Sequence, residues 1–303
     1  MSDKRAARLG ALQIGSAADT AATVEAVMAH APEIAAARLD LLVLPEALLG
    51  GYPKGADFGA RLGYRTPYGR EAYRQYHAQA VDLDGPEVGA MQALARQTGS
   101  AIVVGVIERA GYSLYCTALF ITATGELAGK HRKLMPTATE RLVWAQAADA
   151  GLTTMDTVAG RVGAAICWEN YMPMYRQALY GQGVEVWCAP TVDDRDIWQI
   201  SMRHIAYEAR CFLVSACQVQ PPTTQALGRT ISLRDRAEDA PMIRGGSMIV
   251  SPMGEVLAGP LENQIGLVTA EVDLNDIARA RFDMDASGHY ARAELFGVPG
   301  AHA

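Results

Sequence analysis

One cysteine stands where the sequence predicts the end of a buried strand. The apolar run from Val162 to Ile166 is opened by glycines and is too short for a helix, so it predicts a strand that delivers Cys167 to its end. The segment from Tyr171 to Gly181 then carries apolar residues at helical spacing. A strand–turn–helix junction can hold a nucleophile out of a sheet beside free backbone N–H groups. Most cysteines are inert core residues, so position alone does not make Cys167 catalytic.

A carboxylate follows a second predicted strand. The apolar run from Leu39 to Leu44 ends abruptly at Pro45-Glu46. An acidic residue at this point can be a solvated strand end, and the strand pattern by itself favours that interpretation. Glu46 can also be a functional carboxylate, because open α/β sheets have their sites at the carboxyl ends of the strands.

A lysine follows a third run of predicted strands. His131-Arg132-Lys133 comes directly after the strand predicted from Glu126 to Lys130, and Glu140 lies a short distance further along. Consecutive basic residues usually form a solvated patch, and we expect this for His131 and Arg132. Lys133 leads straight into Leu-Met-Pro, so this lysine can point inward instead.

These side chains could together perform covalent catalysis. A free thiol has a pKa of about 8.5 and needs a base or a nearby cation to react at neutral pH. Glu46 could take the proton of Cys167, and Lys133 could favour the thiolate and stabilise charge on a substrate heteroatom. Glu140 could keep the lysine charged and oriented. No histidine has a comparable strand-end context, so we favour a carboxylate base over the histidine base of cysteine proteases.

The composition is that of a globular protein without a nucleic-acid-binding surface. Half of the 303 residues are hydrophobic, and the net charge is −6 without a Lys/Arg-rich patch. The five cysteines include no CxxC pair, so neither a disulfide framework nor a metal site is indicated. No apolar run reaches the roughly 18 residues that span a bilayer, and the first residues lack the apolar core of a signal peptide. We expect a cytoplasmic protein that contacts neither nucleic acid nor membrane.

Short predicted strands alternate with helices along the whole chain, which favours a layered α/β or α+β fold. No change in composition marks a domain boundary, so we predict one domain. Its predicted limits are 1–303, with a core at about 8–281, polar insertions at about 53–76 and 221–244, and a tail at 282–303. The second insertion is expected to be loop-like.

Two local patterns concern helices. One long amphipathic helix is predicted from about Ala18 to Arg38. In a later predicted helix, from Asp194 to Ala209, His204 and Glu208 are one turn apart and could be two ligands of a metal ion. The sequence offers no third ligand near them, so we expect His204 and Glu208 to form a surface ion pair.

Six segments occur in a specific order along the chain. They are Leu44-Pro45-Glu46-Ala47 with Gly50-Gly51-Tyr52-Pro53-Lys54-Gly55, His131-Arg132-Lys133-Leu134-Met135-Pro136-Thr137 with Glu140-Arg141, Cys167-Trp168-Glu169-Asn170-Tyr171-Met172-Pro173, Ala189-Pro190-Thr191, Arg203-His204-Ile205-Ala206-Tyr207-Glu208-Ala209-Arg210, and Gly288-His289-Tyr290-Ala291-Arg292. Over about 8–296, the chain resembles the nitrilase branch of the carbon–nitrogen hydrolase (nitrilase) superfamily.

The resemblance implies a fold, a triad and a reaction. The fold is a four-layer αββα sandwich, and the Glu-Lys-Cys triad falls on Glu46, Lys133 and Cys167, with a second, structural glutamate at Glu140. The thiolate attacks a nitrile carbon to give a thioimidate, water displaces ammonia, and a second water hydrolyses the thioester to the carboxylic acid. Lys133 and the backbone N–H of Trp168 would stabilise the charged intermediates, and no cofactor is implied.

The resemblance also implies self-association and a substrate pocket. Family members form dimers and many nitrilases extend these into spirals, so we expect a homodimer or a larger homo-oligomer in which the two insertions take part. Tyr52, Trp168, Tyr171 and Thr191 are the candidates for the pocket lining, although each could equally be a core residue. Aromatic walls suit aliphatic, arylaliphatic and aromatic nitriles alike, so the nitrile itself is not identified.

Other functions remain open from the sequence. An amidase or carbamoylase of the same superfamily would share the triad chemistry, and a cyanide-hydrating enzyme is a narrower alternative. A non-catalytic scaffold would have little need for Glu46, Lys133 and Cys167 together. The Cys-Trp-Glu sequence at Cys167 favours the hydrolysis of nitriles.

Overall fold

The fold is given by a computed structural model, which describes residues 5–226, 229–232, 237, 239–292 and 295. The strands are β1 (Ala6–Gln13), β2 (Leu41–Val43), β3 (Ala101–Ala110), β4 (Ser113–Ile121), β5 (Leu127–Arg132), β6 (Thr154–Thr157), β7 (Gly160–Ala164), β8 (Val186–Thr191), β9 (Phe212–Cys217), β10 (Val219–Gln220), β11 (Thr223–Ala226), β12 (Arg229–Ser232), β13 (Ile243–Val250), β14 (Val256–Glu262) and β15 (Gly266–Asp273). The α-helices are α1 (Thr20–Ala29), α2 (Ala31–Ala37), α3 (Pro67–Gln79), α4 (Pro86–Thr98), α5 (Pro173–Tyr180), α6 (Asp196–Ala209) and α7 (Asn275–Ala280), and 3₁₀ helices cover Ala138–Leu142 and Cys167–Tyr171.

The first sheet contains the strands that precede Glu46 and Lys133. Its six strands lie in the order β15-β1-β2-β3-β4-β5. β1, β2 and β3 are parallel, whereas β4 is antiparallel to both β3 and β5. β2, β3 and β5 therefore run in the same direction, so their carboxyl ends lie at one edge of the sheet. Glu46 and Lys133 follow the ends of β2 and β5 at this edge.

The second sheet contains the strand that precedes Cys167. Its main path is β10-β13-β9-β8-β7-β6, with β14 paired to β13. β7, β8 and β9 are parallel, and the outer strands β6 and β13 are antiparallel to them. The carboxyl ends of β7 and β8 consequently lie side by side, which brings Thr191 next to the turn that carries Cys167.

The two sheets face each other across a shared apolar core. Val43 and Val103 of the first sheet belong to the same buried cluster as Val162 and Val214 of the second. Alternate residues of β3, such as Ile102, pack outward against α1, α2 and α4. The outer face of the second sheet packs against α5 and α6. Because both faces of the central strands are covered, the strands are continuously apolar, and the predicted αββα sandwich is confirmed.

The long helix predicted near the N-terminus is interrupted. α1 ends at Ala29, His30 caps it, and α2 begins at Ala31, with Pro32 in its first turn. A proline inside a helix lacks an N–H group and clashes with the preceding turn, whereas the first turn tolerates it. The prediction of a single helix from Ala18 to Arg38 was therefore wrong: the helix is interrupted at His30, just before Pro32.

The two predicted insertions contain regular structure. The first insertion includes most of α3. The second was expected to be loop-like, but β11 and β12 form an antiparallel hairpin within it. Residues 227–228, 233–236 and 238 of the second insertion lie outside the described residues.

Candidate active site

The turn that carries Cys167 is held in an unusual backbone conformation. Cys167 has a φ of 49°, a value that residues with a side chain rarely adopt, and its side chain is only 4% exposed. Asn170 supports the turn, since its side-chain amide donates to the carbonyl oxygens of Ala165 and Cys167, both at 2.8 Å. The amide oxygen of Asn170 in turn accepts a 2.8 Å hydrogen bond from the indole of Trp187 on β8. The thiol is thereby fixed at the end of its strand.

Glu46 lies in a loop that passes directly over β3. The N–H of Gly105 donates to the Pro45 carbonyl at 3.1 Å, and a Cβ atom added to Gly105 would lie 2.5 Å from the Glu46 Cα. From the other sheet, the side chain of Gln218 donates to the Glu46 carbonyl at 2.7 Å. Both sheets therefore determine where the fully buried Glu46 carboxylate lies.

Lys133 lies between two carboxylates. Its ammonium group donates to Glu46 Oε1 at 2.6 Å and to Glu140 Oε2 at 2.9 Å, and its side chain is buried. The 3₁₀ helix Ala138–Leu142 places Glu140, whose carboxylate also accepts hydrogen bonds from the Thr137 N–H at 2.6 Å and from the Tyr52 hydroxyl at 2.9 Å. The two glutamates therefore keep the ammonium charged and limit its movement.

Burial and charge shift the protonation equilibria of the three groups. Burial raises the pKa of Glu46, with Lys133 opposing that rise. Burial likewise raises the pKa of Cys167 well above its ordinary value, the Glu46 charge adds to that rise, and Lys133 opposes it. Burial alone would lower the pKa of Lys133, but Glu46 and Cys167 raise it well above its ordinary value. The resting thiol is thus protonated and lies beside a carboxylate of increased basicity and a permanent cation.

One oxygen of Glu46 is available for proton transfer. Lys133 occupies Oε1, and the Cys116 thiol approaches the same oxygen at 3.6 Å. Within the described part of the chain, the buried Oε2 atom accepts no hydrogen bond. The Cys167 thiol is close enough to this carboxylate to lower its pKa, although burial has the larger and opposite effect. Glu46 can therefore accept the proton of Cys167 without losing its contact with Lys133.

The four predicted pocket residues fall into two pairs. Tyr52 contacts Glu140, and the fully buried Thr191 is within hydrogen-bond reach of the Cys167 thiol. Trp168 and Tyr171 are partly exposed and lie edge to face, with 5.9 Å between their ring centroids. The structure thus brings the first pair to the buried charged groups and leaves the second pair at the adjacent surface.

Trp168 is anchored through its indole. Its Nε1 donates to Asp193 Oδ2 at 2.9 Å, and the guanidinium of Arg195 lies 5.0 Å from the ring centroid. Arg195 also donates to Asp193 at 2.8 and 2.5 Å. Asp193 and Arg195 could not be predicted from the sequence, because their role depends on a contact with Trp168, a residue on another segment.

The prediction that His131 and Arg132 form a solvated patch was wrong for His131. This histidine is 1% exposed, and its ring contacts Glu169 at 2.9 Å. Arg132 is partly buried, lies over the ring of Tyr115 and donates to Glu108 at 2.9 and 2.6 Å. Side chains alternate between the two faces of a strand, so the successive basic residues of β5 have different surroundings.

His204 and Glu208 form the expected surface ion pair. Their side chains are 3.0 Å apart, and the His204 side chain is 64% exposed. Among the residues that the structure describes, no three His, Cys, Asp or Glu side chains are grouped as metal ligands. Over the same residues, none of the helices combines the length and apolar character that crossing a bilayer requires.

Comparison with known proteins identifies the class to which this fold and site belong. The family described as carbon-nitrogen hydrolase matches residues 8–282. The solved structure of a carbon-nitrogen hydrolase from Helicobacter pylori G27 has the same fold, with a TM-score of 0.73 and 18% identity over 92% of each chain. The chain belongs to the carbon-nitrogen hydrolase family.

Two relatives lie within the nitrilase branch of this family. An aliphatic nitrilase from Sinorhizobium fredii (strain HH103) is 48% identical over 92% of this chain and 90% of its own length. A bifunctional nitrilase/nitrile hydratase from Nicotiana tabacum is 47% identical over 92% of this chain and 81% of its own length. The similarity to each of these relatives covers 92% of this chain.

Proposed function

We propose that this chain is a nitrilase that hydrolyses an organic nitrile to the carboxylic acid and ammonia, with Cys167 as the nucleophile. The observation that carries the proposal is the contact of the buried Lys133 ammonium with both Glu46 and Glu140, next to the Cys167 thiol. Its relatives named nitrilases, which are 47–48% identical, support a nitrile as the substrate.

The first half of the reaction forms a covalent intermediate. Glu46 takes the proton of Cys167, and the thiolate adds to the nitrile carbon. The protonated Glu46 then gives this proton to the nitrile nitrogen, which yields a thioimidate and returns Glu46 to its carboxylate form. Lys133 and the backbone N–H of Trp168 stabilise the negative charge that develops on that nitrogen. The cation is already in place beside two carboxylates, so little reorganisation is needed as the charge develops.

The second half of the reaction consumes two waters. Glu46 removes a proton from the first water, which adds to the thioimidate carbon, and the resulting tetrahedral intermediate expels ammonia to leave a thioester. A second water adds to the thioester carbon, and the carbon–sulfur bond breaks to release the acid and regenerate the thiol. If the first tetrahedral intermediate instead expels the cysteine sulfur, the product is the amide.

The proposed substrate pocket has a buried end and an exposed end. Tyr52 and Thr191 line the buried end, because they contact Glu140 and Cys167. Trp168 and Tyr171 line the entrance, where their partly exposed rings would contact the organic group of the nitrile. No cofactor or metal ion takes part in this mechanism.

The direct test compares a panel of nitriles with the corresponding amides and with cyanide. We expect ammonia and acid from at least one aliphatic, arylaliphatic or aromatic nitrile, and no turnover by Cys167→Ala. Cys188→Ala, which alters a buried thiol on β8 away from the charged groups, is the matched control and should retain turnover. Turnover of amides or carbamoyl compounds alone would overturn the nitrile assignment in favour of an amidase or carbamoylase, and turnover of cyanide alone would indicate a cyanide-hydrating enzyme.

Release of amide is a second activity to measure in the same assay. The relative from Nicotiana tabacum is named a bifunctional nitrilase/nitrile hydratase, which favours some partition to amide in this chain as well. Chromatographic separation of acid and amide gives the ratio directly. Exclusive formation of acid from every accepted nitrile would contradict this partition without affecting the nitrilase assignment.

We also propose that the chain is one domain over 1–303, assembles as a homodimer or a larger homo-oligomer such as a spiral, and resides in the cytoplasm. Support for assembly comes from α6, where Ile197, Ile200 and Tyr207 form an exposed stripe at helical spacing. A second copy of the chain is the partner that we assign to this stripe. All five cysteines are unpaired, which fits a reducing compartment.

A further inference from the structure

His131 and Glu169 form a buried ion pair between the lysine and the cysteine of the site. The pair has a ring nitrogen to carboxylate distance of 2.9 Å, and both side chains are almost fully buried. The Tyr175 ring stacks on the His131 ring with 5.3 Å between centroids. Neither residue contacts the reacting atoms in the mechanism proposed above, so their burial requires another explanation.

The Glu169 carboxylate connects the two catalytic segments. Its Oε1 atom accepts a 2.6 Å hydrogen bond from the N–H of Leu134, the residue after Lys133. Its Oε2 atom accepts a 2.7 Å hydrogen bond from the N–H of Ile166, the residue before Cys167. A single rigid carboxylate therefore links the first sheet to the second at the point where the cation and the nucleophile leave their strands.

The surroundings of His131 indicate that both ring nitrogens carry a proton. Nδ1 lies 3.0 Å from the Gly151 carbonyl oxygen, which can only accept, and Nε2 lies 3.0 and 2.9 Å from the two oxygens of Glu169. Each of those oxygens already accepts a backbone N–H, which is the behaviour of an ionised carboxylate.

The charges around the ring agree with this protonation state. Burial alone would lower the pKa of His131, but the Glu169 charge and the Gly151 carbonyl raise it above its ordinary value, and Asp149 adds to the rise. The Tyr175 hydroxyl donates to the Ala164 carbonyl at 2.8 Å, so its oxygen also faces the ring as an acceptor.

We propose that His131 is a positioning residue: as a buried imidazolium, it neutralises and orients Glu169, which fixes the separation of Lys133 and Cys167. The inference rests on the proposed function for its consequence in turnover. This positioning matters for the rate, because a displacement of about 1 Å between reacting groups can reduce the rate about 10²-fold.

The test uses His131→Gln and Glu169→Gln, with His30→Gln as the matched control. His30 also pairs with a glutamate, Glu33, but at the surface between α1 and α2. We expect about a 10²-fold loss of kcat in both buried variants with KM changed by less than about threefold, because the lost property is alignment rather than substrate affinity. His30→Gln should match the wild type. Folded variants of His131 and Glu169 with unchanged kcat would overturn the proposal.

A second readout does not depend on the substrate. Alkylation of Cys167 by iodoacetamide, followed by peptide mass spectrometry, should be about tenfold slower in both buried variants, because the thiol is no longer aligned with its base. If no nitrile is turned over even by the wild type, the proposed function fails, whereas this alkylation difference still supports or overturns the positioning role.

A third measurement uses the wild type alone and therefore tests the proposal even if the variants do not fold. In wild-type protein with ¹⁵N-labelled histidine, both ring nitrogens of His131 should be protonated at every pH at which the enzyme has its full kcat. A neutral His131 ring at a pH of full kcat would overturn the proposal, because an uncharged ring leaves Glu169 without its counter-ion.

Discussion

At the scale of single residues, the central feature is one buried cation shared by two buried carboxylates. Lys133 neutralises only one of the two charges of Glu46 and Glu140, so the site retains one negative charge before the thiol ionises. The two carboxylates repel any further negative charge in the site, unless that charge develops next to the Lys133 ammonium itself. This arrangement favours charge on a heteroatom of the substrate over charge at rest on Cys167.

Replacement of Lys133 by Met should abolish turnover and destabilise the protein. The two glutamates would then be like charges in a buried space, and removal of one partner of a buried ion pair costs about 3–5 kcal/mol. Urea denaturation at neutral pH measures the loss of stability, and the ammonia assay measures the loss of turnover. Lys130→Met is the control, because Lys130 is partly exposed and its partner Glu108 keeps Arg132. Equal stability of the two variants would contradict the assigned role of Lys133.

Replacement of Glu46 by Gln should reduce kcat/KM by about 10²- to 10⁴-fold, which is the usual contribution of a general base. The fold should persist, because a glutamine oxygen can still accept from Lys133. Circular dichroism and turnover on the same sample separate the two effects. A variant that retains most of its turnover would exclude Glu46 as the base.

The pH dependence of the wild type should reflect the same carboxylate. A base acts only when deprotonated, and burial raises the pKa of Glu46, so kcat/KM should fall as the pH decreases through a value above the ordinary glutamate pKa of about 4.3. The profile is measured by initial rates, and each acid-treated sample is returned to neutral pH to exclude denaturation. A rate that stays constant down to about pH 4 would contradict the raised pKa.

At the scale of secondary-structure elements, Glu108 joins three neighbouring strands. It lies on β3, accepts from Thr117 of β4 at 2.9 Å, and pairs with Lys130 and Arg132 of β5. Burial alone would raise the pKa of Glu108, but the hydrogen bonds from Arg132 and Lys130 lower it below its ordinary value. This carboxylate therefore stabilises the edge of the sheet from which Lys133 emerges.

Replacement of Glu108 by Gln should destabilise the protein at neutral pH by about 1–3 kcal/mol, as for other lost charged hydrogen bonds. A carboxyl group with a lowered pKa in the folded state stabilises above its unfolded pKa of about 4.3 and loses that contribution as the pH falls through the folded value. The difference between variant and wild type should therefore shrink in acid. Urea denaturation at neutral and acidic pH measures it, and a difference that is independent of pH would argue against the ion pairs as its source.

The sequence predicted the elements better than the contacts between them. The apolar runs before Glu46 and Cys167 indicated strands, because strands covered on both faces have no polar alternation. The burial of His131 was not predictable, since its partner Glu169 is distant in sequence and a basic run is usually solvated. The hairpin in the second insertion was missed because, among the strands that the structure describes, β11 and β12 pair only with each other, and their residues carry no apolar pattern.

At the scale of the whole molecule, α6 exposes the apolar side chains of Ile197, Ile200 and Tyr207, which we propose as the contact with a second copy of the chain. Ile200→Asp should convert the proposed assembly to a smaller species, because a charge would be buried in an apolar contact. Light scattering coupled to size-exclusion chromatography gives the mass. Val158→Asp is the control, since Val158 is exposed at the turn between β6 and β7. A wild type that is monomeric would contradict the assembly itself, and an unchanged mass for Ile200→Asp would show that the contact lies elsewhere.

The loop over Gly105 has a practical consequence for anyone who wishes to alter substrate range by directed evolution. Any side chain at position 105 would need the space now occupied by the backbone of Pro45, Glu46 and Ala47. Libraries can diversify the proposed entrance at Trp168 and Tyr171, whose rings are partly exposed, whereas a codon for anything other than glycine at position 105 should yield clones that express but cannot align Glu46, the proposed base. Leaving that one codon untouched would keep a library from filling with inactive members.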